Sequence, residues 1–379
     1  MSLGLAPDRS AWADLLDQAC RGEGVGVAYQ PVVDTVRGTV VGYEALARFP
    51  GFDEKSPEVW FSAARSEGRA AELEAAALRI ALKARAMLPT NCFLTVNVSP
   101  DLLASEEIRR IWRAQGDLSG LVIELTEQVP IDSYGHLAPD LDQLRAAGAL
   151  IAVDDAGAGY AGLRHLLSLR PSIIKIDREL VRDVDSDEAK RALIEMLGTF
   201  AGRVDAWILA EGIETAEELE TVAALGVPLV QGYYLARPSA PWASIPLETA
   251  HRLAARDRTG RGNAVSHIVE PAFTVSTVAA AADAFAADAR LQFVVLLSDD
   301  RRPVCILDPF AAANGWTAPG LRLNLDTPIA AALARAVTRP QEHRFEPMPV
   351  TDNAGRFAGI VRMERLITAL AGSESQASA

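Results

Sequence analysis

Cysteine is scarce in this sequence: Cys20, Cys92 and Cys305 are the only three in 379 residues. Their wide spacing and the lack of any C-x-x-C pair argue against a disulfide framework and a thiolate zinc site, and thiols that are buried or inert are the expectation. Long apolar runs are also missing, since no stretch approaches the roughly 20 residues of a membrane-spanning helix. The opening "MSLGLAPDRSAW" lacks the apolar core of a secretory signal, so the cytoplasm, away from any membrane, is the expected location. Basic charge is outnumbered: 37 Lys and Arg face 50 Asp and Glu, for a net charge of −13. That balance gives no general pull toward nucleic-acid polymers or anionic membranes. An anionic ligand would need a local reversal of sign, and bound divalent cations can supply it.

What is present describes a globular chain, with 49% hydrophobic and 23% charged residues. Its length makes two domains the prior expectation. From residue 25 to 235 short apolar strands alternate with helical stretches. "VGVAYQPVV" and "VVGYEALARF" are joined by a gap short enough for a hairpin, and "CFLTVNVS", "LVIELTE", "LIAVDD", "SIIKID", "AWILAEGI" and "LVQGYYL" follow. Eight strands, most followed by helices, predict an α/β fold: a (β/α)8 TIM-like barrel with an irregular first strand hairpin. No glycine-rich nucleotide turn follows the first strand, which argues against an open doubly wound sheet.

The composition changes after "ARPSAPW", and "AARDRTGRGN" reads as a linker. The expected organisation is a barrel over 1–250, a linker over 251–262 and a smaller α+β domain over 263–379. The last segment has two weakly similar halves, each reading helix, strand, Asp-containing turn, strand, helix.

Polar residues gather at the predicted C-terminal strand ends: Glu44, Asn97, Glu124 with Glu127, Asp154 with Asp155, Lys175 with Asp177, Glu211 with Glu214, and Gln231. Any one of these acids alone reads best as solvated or as a helix N-cap. Together they ring a barrel mouth, where adjacent carboxylates ending an apolar strand would repel and desolvate each other unless cations neutralised them. All-oxygen ligation points to Mg²⁺ or Mn²⁺. Arg48 lies on the strand face of Glu44 and Leu46, and can present a guanidinium to a phosphate.

"YQPVV", "YEALARF", "NVSP", "IELTE", "DDAGAGYAGL", "IIKID", "AEGIET" and "QGYYLARP" occur in the order and spacing of the EAL domain family of cyclic-di-GMP phosphodiesterases, which the sequence resembles from about residue 20 to 240. The resemblance implies hydrolysis of cyclic-di-GMP to linear pGpG by two cations. It implies Glu44, Asn97, Glu124 and Asp154 as ligands of the first ion, and Asp154, Asp155 and Glu211 as ligands of the second. Lys175 would position or help deprotonate the attacking water, Glu214 and Gln231 would orient it, and Gln30 and Arg48 would contact substrate. Glu127 would anchor the loop that begins at Asp154 and Asp155, and that loop would contribute to a homodimer. Ala156, Ala158 and Leu235 depart from the commonest family pattern, which bears on loop packing and rate and removes no ligand.

The two C-terminal halves resemble a tandem pair of CBS domains. Arg362 and Arg365 follow Gly359, Ile360 and Val361, and Cys305 stands in the glycine's place in the first half, so the adenine-nucleotide signature is absent from both copies. A dimerising or regulatory role is expected there ahead of nucleotide binding. Alternatives are a non-catalytic cyclic-di-GMP receptor signalling through the C-terminal domain, an enolase-like barrel using Lys175 to abstract a carbon-bound proton, and a metal-free structural barrel. A full set of ligands weighs against the receptor, and the paired aspartates with Asn97 fit two metals better than the enolase arrangement.

Overall fold

Runs rich in Val, Ile and Leu but only a few residues long suit strands buried on both faces, as in parallel sheets. A computed structural model of the chain describes residues 9–49, 57–90, 92–126, 137–154, 169–204, 206–256, 264–298, 301–315, 321–325, 327–339, 343–352 and 355–377. The chain divides into two compact units, one comprising 1–34, 39–194 and 208–247, the other 35–38, 195–207 and 248–379.

The first unit is a closed barrel of eight strands: β1 (Gly26–Asp34), β2 (Thr39–Arg48), β3 (Phe93–Val98), β4 (Leu121–Leu125), β5 (Leu150–Val153), β6 (Ile173–Ile176), β7 (Trp207–Ala210) and β8 (Leu229–Val230). The expected hairpin start is present. β1 runs antiparallel to β2 with Gln30 opposite Glu44, and antiparallel to β8 on its other side, with a register shift between Val32 and Val33. The pairs β2–β3, β3–β4, β4–β5, β5–β6 and β7–β8 are parallel. Leu94, Ile123, Ile151, Ile174 and Val230 are fully buried, each contributing about 1.5–3 kcal/mol of apolar burial.

Helices α1 (Arg9–Cys20), α2 (Pro57–Ser66), α3 (Ala70–Lys83), α4 (Glu106–Gln115), α5 (Ala138–Ala146), α6 (Arg178–Val181), α7 (Glu188–Val204), α8 (Ala216–Ala224) and α9 (Leu247–Arg256) connect or follow these strands. Their starts are written locally. The Ser105 hydroxyl accepts from Ile108 N at the head of α4, and Thr215 with Glu218 forms a full capping box at the head of α8. At these two heads a local hydrogen bond marks where the helix begins after its strand.

The second unit holds two three-stranded sheets. One contains β9 (Thr274–Val275), β10 (Val294–Leu297) and β11 (Pro303–Leu307), with α10 (Val278–Ala287) and α11 (Pro309–Asn314). The other contains β12 (Leu323–Asn324), β13 (Met348–Thr351) and β14 (Phe357–Val361), with α12 (Ile329–Val337) and α13 (Met363–Ala377). In both, the short strand pairs parallel with the middle one, which pairs antiparallel with the third. The two halves thus follow one order of strand, helix, strand, strand, helix. Cys305 is buried in the first of their cores, beside Val294, Leu296 and Leu307. No helix among the described residues is long and apolar enough to cross a membrane.

Candidate active site

Parallel pairing brings the strand ends together in register, so residues far apart in sequence become neighbours at one end of the barrel. Asn97 of β3 stands beside Glu124 of β4, and Glu44 of β2 stands beside Thr95 of β3. Glu211 follows β7 directly, and its N–H donates to the Ile176 carbonyl at 3.0 Å. Gln231 follows β8, with its N–H on the Ala210 carbonyl at 2.9 Å. Gly232 makes that last placement possible, because a Cβ there would lie 2.1 Å from the Ile213 carbonyl oxygen. Gly212, at φ +68°, turns the chain after Glu211 where a Cβ would meet the Arg178 side chain at 2.5 Å.

The centre of the arrangement is Lys175, which is 2% exposed. Its Nζ lies 2.5 Å from Glu124 Oε1, 2.5 Å from Glu211 Oε1, 3.7 Å from Asp154 Oδ1 and 3.9 Å from Glu44 Oε1. Burial alone would lower the ammonium's pKa, but the carboxylates of Glu124, Glu211, Glu44 and Asp154 reverse this and hold it well above its usual value. Burial drives Glu124 far above the carboxylate range, with Lys175 opposing and Glu44, Asp154 and Glu211 adding to the rise. Glu211 is likewise raised by burial, against the pull of Lys175. Four carboxylates share one ammonium, and the cluster is short of positive charge.

Glu44 is fixed from two sides: Asn97 Nδ2 donates to its Oε1 at 3.0 Å, and Gln231 Nε2 donates to its Oε2 at 2.7 Å. Gln231 Nε2 also reaches Gln30 Oε1 at 2.9 Å, while Gln30 Nε2 donates to the Ala236 carbonyl at 3.0 Å. Among the described residues, two atoms of this network are buried without a hydrogen-bond partner, Glu124 Oε2 and Gln231 Oε1. A buried carboxylate oxygen without a donor is costly, and a cation would satisfy it. The donor set of carboxylates and an amide suits a hard divalent ion.

A cleft of about 690 Å³ opens above these groups, lined by eight of the residues singled out from sequence: Gln30, Glu44, Arg48, Asn97, Glu124, Asp154, Lys175 and Glu211. Arg48 stands exposed at the rim, its Nη1 donating to the Ala47 carbonyl at 2.9 Å. Gln231 lies one hydrogen bond behind Glu44. Glu214 is turned to another partner, accepting from Arg178 Nη2 at 2.7 Å, and does not line the cleft. Asp155, Glu127, Ala156 and Ala158 lie outside the described residues. Leu235 is buried at 2% exposure.

The cleft also takes in residues that strand-end reasoning passed over: Phe61, Ser62 and Arg65 from α2, and Glu74 from α3. Glu74 could have been found, because it is a lone acid inside the helical run "LEAAAL", all of which is buried. The α2 residues carry no comparable signal, since they lie on an ordinary amphipathic helix.

The family model described as EAL domain matches residues 13–238. The cyclic di-GMP phosphodiesterase PdeL of Escherichia coli K12 is 29% identical over 220 residues, covering 55% of this chain and 61% of its own. Three further curated relatives are spanned to only 26%, 44% and 47% of their lengths. A standalone EAL protein of Vibrio cholerae O395, solved in its c-di-GMP-bound form, is 26% identical with a TM-score of 0.52, over 60% of this chain and 97% of its own. BlrP1 of Klebsiella pneumoniae, solved with manganese and cyclic di-GMP, is 30% identical with a TM-score of 0.52, over 57% of each chain. The same protein solved with calcium and the dinucleotide is 27% identical with a TM-score of 0.52, over 63% of this chain and 68% of its own. The matched stretch takes in every strand of the barrel and more than half of the sequence, and the chain belongs to the EAL domain family.

Proposed function

We propose that the barrel hydrolyses one phosphodiester bond of cyclic di-GMP to give linear pGpG, with two divalent cations, Mg²⁺ or Mn²⁺, as cofactors. The observation that carries this reading is the convergence of Glu44, Glu124, Asp154 and Glu211 on Lys175, with Glu124 Oε2 buried and unpartnered. Membership of the EAL family, and a relative solved with manganese or calcium and this dinucleotide, support it.

Glu44, Asn97, Glu124 and Asp154 would hold one ion, and Asp154, Asp155 and Glu211 the other; bound there, the ions supply charge neutralisation at the phosphate and acidify water. The chain's own groups do the rest. Lys175, with three N–H donors in the centre of the carboxylates, positions the attacking water. Gln231 holds Glu44 in place. Arg48 at the rim pairs with the phosphate that is not cleaved, and Gln30 contributes a further substrate contact. Water adds to phosphorus and the 3′ oxygen leaves as a hydroxyl. Glu127 would anchor the loop that follows Asp154, as the family resemblance implies.

The second unit, with one order of elements used twice, fits a degenerate tandem CBS-like pair that regulates the barrel or assembles it into a homodimer in the cytoplasm. The assignment is tested by incubating purified protein with cyclic di-GMP and Mg²⁺ or Mn²⁺ and separating the products by chromatography, beside Glu44→Ala. Linear pGpG from the parent alone upholds the reading. Intact dinucleotide that still binds makes the chain a receptor, and loss of binding as well removes the reading altogether.

A further inference from the structure

Glu74 is an acid set in a run of buried apolar side chains. It sits on α3 at 5% exposure, between Leu73 and Ala75, and faces the cleft. Burial pushes its carboxyl up to about 7, against the lowering effect of hydrogen bonds from Ser99, while Asp101 adds to the rise and Arg65 opposes it. Among the described residues no cation pairs with it directly. Both oxygens are spent on one residue: Oε1 accepts the Ser99 N–H at 2.8 Å and Oε2 accepts the Ser99 hydroxyl at 2.7 Å.

Ser99 is the residue at which β3 stops. Val98 ends the strand, and Pro100 opens the single turn Pro100–Leu102. Two residues before Ser99 stands Asn97, whose Nδ2 donates to Glu44 Oε1 at 3.0 Å. Two residues after it stands Asp101, ion-paired to Arg65 of α2. The short segment from Asn97 to Asp101 is therefore tied to two outer helices, by Glu74 of α3 in the middle and by Arg65 of α2 at its far end. β3 has only six residues to fix its own course. Withdrawing the Glu74 oxygens leaves a partly buried N–H without its acceptor at the point where the strand leaves the barrel.

We propose that Glu74 is a positioning residue for the barrel-mouth site: by holding Ser99 it sets the end of β3, and so fixes the Asn97 amide against Glu44. This rests on the proposed cation-dependent hydrolysis. Glu74 does not touch the reacting groups, so its removal weakens cation binding and turnover while leaving substrate contacts such as Arg48 in place.

The test compares wild type, Glu74→Gln, Glu74→Ala and Ser99→Ala. Free Mn²⁺ is counted by electron paramagnetic resonance without substrate, and kcat and KM for cyclic di-GMP are measured separately. Glu74→Ala is expected to lose about tenfold or more in Mn²⁺ affinity and in kcat, the range found when groups that orient metal ligands are removed, with KM changed by less than about threefold. Glu74→Gln keeps an oxygen for the Ser99 N–H and is expected to stay within about threefold of wild type on both readouts. Wild-type values in Glu74→Ala overturn the inference, and so does an equal loss in Glu74→Gln, which would make the charge rather than the hydrogen bonds decisive. Should Glu74→Ala fail to fold, Ser99→Ala decides on the same readouts: a loss upholds the inference and wild-type values overturn it. A wild-type chain that neither binds Mn²⁺ nor cleaves the dinucleotide removes the reading of the site and this inference with it. Full wild-type function persisting in Glu74→Ala removes this inference alone.

Discussion

Lys175 Nζ lies 2.5 Å from Glu124 Oε1, while the other oxygen of the same carboxylate is buried with no hydrogen-bond partner. One oxygen of Glu124 is thus neutralised from inside the protein, and the other, among the described residues, is a buried acceptor that a cation would satisfy. Replacing Lys175 by Met leaves the buried acids without their shared cation. In the presence of a chelator, urea unfolding is expected to show a loss of about 3 kcal/mol, the cost of breaking a buried pair from one side. Hydrolysis is expected to fall by at least about a hundredfold, as for loss of a group that handles a proton or its water.

Divalent cations should stabilise the folded chain. At about a hundred times the dissociation constant, a ligand that binds only the native state adds about 2.7 kcal/mol. Scanning calorimetry in Mn²⁺ against chelator should give a higher Tm for wild type with Mn²⁺. In Glu124→Gln, which replaces an unpartnered carboxylate oxygen by a neutral amide, most of that rise should vanish. An equal rise in both proteins would place the cations elsewhere.

Gln231 spends its Nε2 on Glu44 and Gln30 together. Gln231→Ala removes both contacts without replacing a residue proposed to hold an ion. Turnover is expected to fall about 10–100-fold, the usual cost of losing a group that orients a metal-binding side chain. Circular dichroism should remain that of wild type.

At Gly232 an added methyl meets Ile213 backbone atoms at 2.1 and 2.2 Å. Backbone cannot swing aside as a side chain can, so Gly232→Ala should cost about 1–3 kcal/mol of stability as overpacking. It should also lower activity, because Gln231 is the next residue. A stable, fully active Gly232→Ala would sink this account of the turn.

Glu74 gives the fold a pH dependence of definite sign. Its carboxyl is raised by burial from 4.5 to about 7, so the folded chain holds this proton where the unfolded chain has released it. The stability it contributes is complete below the unfolded pKa and is lost as pH rises through the folded one. Relative to Glu74→Gln, wild type should therefore lose on the order of 3 kcal/mol between about pH 5 and about pH 8. Chemical denaturation of the two proteins across that range measures the difference directly, and parallel curves would remove the effect.

Much of the barrel was written in local signals. Short runs rich in β-branched residues mark the strands, Thr215 with Glu218 marks a helix start, and a hairpin is the simplest connection across the small gap between β1 and β2. The acids at the strand ends were equally legible, because a charged residue closing an apolar run stands out in one dimension. Glu214 shows the limit of that approach: it sits three residues past Glu211, yet its side chain turns to Arg178 and away from the cleft.

The sequence by itself determined which residues could reach the mouth of the barrel, since strand length and alternation decide where each chain segment ends. Only the tertiary structure decided which of them meet. Glu44 is held by Asn97, 53 residues away, and by Gln231, 187 residues away. Lys175 lies 51 residues from Glu124 and still shares its charge. Such pairings depend on register and on closure of the sheet, which no local pattern encodes. The role of Glu74 belongs to the same class: in the sequence it is one acid on an alanine-rich helix, and packing alone presses it against the residue that ends β3.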